Sequence, residues 1–180
     1  AKGFLDSFQA AAQGINADRK VGIVAFNTSA IEVSGLTDCK TASQRNALKA
    51  KFDTDASQKM WGTLTNASFA ASHDRFTNME AGLKMAREML SSDTSVVSEN
   101  KFIIFVTDGF PTTYVKSGTS GYDPYTSSGT PGADGVFYDN VSKKYCKYGT
   151  SYSDEAAIRA AKEAVRIKNG GITIFSVGVD

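Results

Sequence analysis

Apolar residues fall along this chain in two rhythms. Short unbroken runs alternate with stretches where apolar side chains recur every three or four positions. The run Phe102–Val106 is rich in β-branched and aromatic types and predicts a strand buried on both faces of a parallel sheet. Val21–Phe26 and Ile172–Val179 predict two more buried strands. After a polar turn at Asn27–Ala30, Ile31–Leu36 predicts a returning antiparallel strand at a sheet edge.

Helical spacing marks four stretches. In Ala1–Gln13, Phe4, Leu5, Phe8, Ala11 and Ala12 share a face, with Gly14 as a stop. Gln44–Phe52 follows the candidate caps Thr41 and Ser43. Met79, Leu83, Ala86 and Leu90 define a third helix, with Thr77 or Asn78 at its cap and Glu80 in its first turn. Asp154–Lys168 is capped by Ser153, and Ile158, Ala161 and Val165 are expected to face the sheet. Strands alternating with amphipathic helices predict a doubly wound α/β sheet, mostly parallel, with one antiparallel edge strand. The first helix calls for a strand before it, placed by crossover handedness beside Val21–Phe26. That first strand is missing from the chain, which therefore reads as one partial domain over residues 1–180.

Two irregular stretches interrupt the pattern, Asp53–Arg75 and Thr112–Tyr152. The second holds all 7 tyrosines of the chain among Gly, Ser and Thr. Its length points to function or disorder. Its tyrosines, which supply rigid recognition surface, favour a folded or partly folded excursion.

Composition changes the picture little. The chain has 180 residues, 41% hydrophobic and 22% charged, as expected for a globular domain with a core. A net charge of +1 gives no electrostatic case for nucleic acid or an anionic membrane. No segment is apolar enough over the length a bilayer needs. Cys39 and Cys146 are either a disulfide closing a long loop or two unpaired thiols. With one histidine, His73, and no Cys-x-x-Cys, a Cys/His zinc site is not expected. Asn27, Asn66 and Asn140 each open an Asn-x-Ser/Thr triplet.

The candidate chemistry gathers around Asp108. It follows the apolar run directly, with Gly109 to turn the backbone, at the strand end where open α/β sheets bind ligands. An ordinary turn aspartate explains the same residues equally well.

In order, VGIVAFNTSA with IEVSGLT, FTNMEAGLKMA, KFIIFVTDG and ITIFSVGVD resemble the strands and the threonine and aspartate motifs of the von Willebrand factor A domain. The resemblance spans nearly the whole chain apart from the two irregular stretches. It implies a metal-ion-dependent adhesion site, with Thr77 as a hydroxyl ligand and Asp108 as a carboxylate acting through water. The family's third element, an Asp-x-Ser-x-Ser loop, would lie upstream of Ala1, in the missing strand. If that loop is supplied, the expected ion is Mg²⁺ or Mn²⁺, hard cations that take oxygen ligands. Such a site binds an acidic group of a partner protein rather than catalysing a reaction.

The two irregular stretches flank these motifs. Trp61, Tyr114, Tyr122 and Tyr125 are accordingly the expected ligand-binding surface. Arms of this kind on an A domain are similar to those of surface adhesins at the tips of Gram-positive pili. The expected setting is extracellular, at the cell surface, with a host or matrix protein as ligand. The alternative is an intracellular A domain serving as a scaffold in a multiprotein complex. A phosphohydrolase using Asp108 lacks a phosphate loop and a nucleophile with a partner base.

Overall fold

The computed structural model describes residues 5, 7, 19–27, 29–51, 77–107, 111, 113–115, 136–139, 144–147 and 152–178; for 136–139, 144–147 and 152–155 it describes the backbone alone. The elements are β1 (Lys20–Phe26), β2 (Ala30–Asp38), α1 (Ala42–Ala50), α2 (Met79–Ser92), β3 (Phe102–Thr107), β4 (Val136–Asp139), β5 (Lys144–Lys147), α3 (Tyr152–Asn169) and β6 (Thr173–Gly178). This is a mixed α/β arrangement. Thr41 caps α1 in a reciprocal box with Gln44, which resolves the choice between Thr41 and Ser43. Leu5 is helical, within the first predicted helix.

Among the described residues the strands pair in twos. β1 and β2 form the antiparallel hairpin read from the sequence, with Phe26 opposite Ala30. β3 and β6 run parallel in unbroken register from Phe102 opposite Thr173 to Thr107 opposite Gly178. β4 and β5 form a second antiparallel hairpin, so the Tyr-rich stretch contains regular structure. Among the described residues no strand hydrogen-bonds the β1–β2 pair to the β3–β6 pair.

Helix α2 joins the two pairs instead. Its Ala81 and Met85 pack with Val24, Phe26 and Ala30. Its Leu83, Ala86 and Leu90 pack with Ile103, Phe105, Ile167 and Ile172. Across the seam the rings of Phe26 and Phe105 stack with centroids 5.2 Å apart. The opposite side of β1–β2 is closed by Leu5 and by Leu48 of α1, over Ile23, Ala25 and Val33.

Two expectations are overturned. Among the described residues, β3 and β6 are covered on one face: Ile103 is buried, while Phe102, Ile104, Val106, Phe175 and Val177 are exposed. An unbroken apolar run predicts two covered faces, but α2 and α3 both lie on the Ile103 side. The inward face of α3 is also different. Ala156, Ala160, Glu163 and Ile167 are buried, whereas Ile158 and Val165 are exposed. The small alanines sit on the inward face with Ile167, and Glu163 is tolerated there because Arg87 and Arg166 bond its two oxygens at 2.5 and 2.9 Å.

Candidate functional site

Three segments meet at the start of α2. Asn78 N–H donates to Asn27 O at 2.5 Å, tying the end of β1 to the helix. Thr113 N–H donates to Thr77 O at 3.4 Å, bringing in the backbone that follows β3. Asn78 is fully buried, and its Oδ1 accepts the Ala81 N–H at 3.0 Å. Asn78, not Thr77, is therefore the N-cap of α2. Thr77 stands one residue before the cap and is half-buried.

Asn27 completes this corner. Its Oδ1 accepts the Ser29 N–H at 3.3 Å, while its Nδ2 is buried and finds no hydrogen-bond partner among the described residues. A buried amide without a partner costs about 1–3 kcal/mol. The same burial closes Asn27 to glycosylation in the folded protein, whatever its triplet.

On the far side of the helix start lies a cluster that the sequence did not signal. Glu80 is buried, and its Oε2 accepts the Val115 N–H at 2.8 Å. Arg159 of α3 lies 3.9 Å from Glu80 Oε1 and stands over the Tyr114 ring, 4.5 Å from its centroid. In the sequence Glu80 read only as a first-turn acid. Arg159 carried no signal, because its partners are 44 and 79 positions away in sequence.

The other expected site residues divide as follows. Tyr114, expected on a ligand-binding surface, is 8% exposed beneath Arg159. Asp108, Trp61, Tyr122 and Tyr125 lie outside the described residues. Cys39 is a free thiol, 1% exposed, with its Sγ on Arg19 O at 3.5 Å. The side chain of Cys146 lies outside what the structure describes. Burial pushes the Cys39 thiol above its ordinary pKa, against the opposing pull of Arg19 and Arg45.

For a hard cation the donor chemistry is of the right kind and incomplete. Thr77 offers a hydroxyl oxygen at the convergence of three segments. Among the described residues no three His, Cys, Asp or Glu side chains gather into a metal cluster. A six-coordinate ion would need Asp108 and oxygens from a further loop.

The fold has a counterpart in a pilus adhesin, SpaC from Lactobacillus rhamnosus GG in an open conformation. The match has a TM-score of 0.52 and 24% identity over 98% of this chain. It shows a shared fold. This chain spans 21% of the length of that protein. No protein-family model matches the chain, and no curated protein matches it. Among the described residues no helix is long and apolar enough to cross a membrane.

Proposed function

We propose that this chain is part of a metal-dependent adhesion domain of a cell-surface protein, with the von Willebrand factor A plan. Thr77 and Asp108 would hold a Mg²⁺ or Mn²⁺ ion, together with an Asp-x-Ser-x-Ser loop supplied from upstream of Ala1. An ion held mainly by neutral oxygens stays electron-poor and recruits a carboxylate from the partner protein. The domain would bind rather than catalyse. The observation that carries this reading is the cap of α2. Asn78 caps α2, and Thr77 stands one residue before it, where the end of β1 and the backbone after β3 meet the helix start. The adhesin likeness supports an extracellular setting on a pilus, with a host or matrix protein as ligand.

Binding of the full-length protein to immobilised matrix proteins, with and without EDTA, tests the proposal. Chelation should abolish binding. Thr77→Val and Asp108→Ala should each weaken it at least about tenfold, the effect of losing one charge-assisted contact. Binding that survives both EDTA and Asp108→Ala would overturn it.

A second reading, an intracellular scaffold module, is favoured by one observation: Cys39 is unpaired. Non-reducing mass spectrometry of the natural protein separates the two. A Cys39–Cys146 link would count against the scaffold, and two free thiols would favour it.

A further inference from the structure

A glutamate in the first turn of a helix ordinarily faces water and answers the helix dipole. Glu80 is buried instead, and its two oxygens face two different segments. Oε2 takes the Val115 N–H at 2.8 Å, and Oε1 faces Arg159 Nη1 at 3.9 Å. The same Nη1 donates to Val115 O at 3.3 Å. Both backbone groups of Val115 are thus held by side chains, the acceptor on α2 and the donor on α3. The Arg159 guanidinium lies over the Tyr114 ring, and Thr113 bonds the carbonyl of Thr77. Thr113, Tyr114 and Val115 are all buried.

A buried ion pair adds little stability over a well-packed apolar pair of similar volume. Its strength is direction, because each hydrogen bond fixes a distance and an angle. We propose that Glu80 and Arg159 are positioning residues. They fix residues 113–115 beside the Thr77–Asn78 turn, and so set how the Tyr-rich stretch departs relative to Thr77. The functional weight of this inference rests on Thr77 being a site residue. The clamp itself does not.

Hydrogen exchange on the full-length protein, resolved to single amides, tests it. Glu80→Ala removes the acceptor of Val115. Exchange at Val115 and Thr113 should rise about tenfold or more, the loss of one charged hydrogen bond. Exchange at Ala81, which bonds Asn78, should change little. Glu80→Gln keeps an acceptor oxygen and should restore protection at Val115. Unchanged protection at Val115 in Glu80→Ala would overturn the clamp. A matching rise at Ala81 would also overturn it, by reducing Glu80 to a support of α2. Calorimetric titration with Mg²⁺ alone adds the functional arm. Affinity should fall about tenfold in Glu80→Ala and recover in Glu80→Gln, and an undiminished affinity in Glu80→Ala would overturn the positioning of Thr77. A wild-type protein that takes up no Mg²⁺ would sink the cation reading, while the exchange pattern still decides the clamp.

Discussion

Asp93 illustrates how much one residue can organise. It ends α2, and its Oδ1 accepts from the Ser95 N–H and hydroxyl, while Lys20 Nζ reaches its Oδ2 at 2.9 Å. Its backbone carbonyl takes Lys101 Nζ at 2.6 Å. The Ser95 hydroxyl bond, then Lys20, hold the Asp93 carboxyl far below the usual carboxylate range. The same contact raises Lys20 above its ordinary value. A depressed carboxyl adds stability that is fully present above the unfolded pKa, near 4, and lost as pH falls below it. A raised lysine adds stability that is present below about pH 10.4 and lost above it. The pair therefore contributes fully between about pH 5 and pH 10. Asp93→Asn should be less stable than wild type in urea unfolding at pH 7, and the gap should narrow steadily from pH 4 to pH 2. A gap that stays constant over that range would show that Asp93 does not titrate with folding. No local pattern could reveal this pair, since Lys20 and Asp93 are 73 positions apart.

At the scale of elements, period and cap residues were legible and neighbours were not. The β1–β2 hairpin and the four helical stretches follow from local pattern, and each has described helical or strand residues. The inward face of α3 did not follow. Ile158 and Val165 look like a core stripe until Arg87, on another helix, makes Glu163 affordable inside. Close approach is likewise a property of pairs. A Cβ on Gly82 would stand 2.7 and 2.8 Å from two ring atoms of Phe26, whose ring stacks on Phe105. Alanine gains about 1 kcal/mol over glycine within a helix, but overpacking a stacked ring costs about 1–3 kcal/mol. Gly82→Ala should thus destabilise the protein, despite the better helix former. Gly22 makes the contrasting case: its Cβ would meet Met89 Sδ, the far end of a flexible side chain that can turn away. Gly22→Ala should cost less than Gly82→Ala in thermal unfolding, and the reverse order would show that α2 does not press against Phe26 in solution.

For the molecule as a whole, the site was legible only in outline. The motif singles out Thr77, while the choice of N-cap between Thr77 and Asn78 is decided only in the structure, where Asn78 takes it. The Glu80–Arg159 clamp needed three segments brought together, which no local pattern encodes. The uncovered side of β3–β6 is a global property of the same kind. Ile104 lies opposite Phe175, and Val106 opposite Val177, so the exposed apolar residues form one continuous patch. Contiguous patches of this sort bind hydrophobic dyes, whereas scattered apolar residues do not. A polypeptide of residues 1–180 should accordingly enhance the fluorescence of an anilinonaphthalene sulfonate dye while still folded. Phe175 and Val177 are 57% and 46% exposed, so replacing both with lysine removes little buried area. The double variant should lose most of the dye signal and less than about 1 kcal/mol of stability. An undiminished signal would mean that the dye binds elsewhere. A large fall in stability would mean that these side chains are covered in solution, and that the two strand pairs close against something on this face.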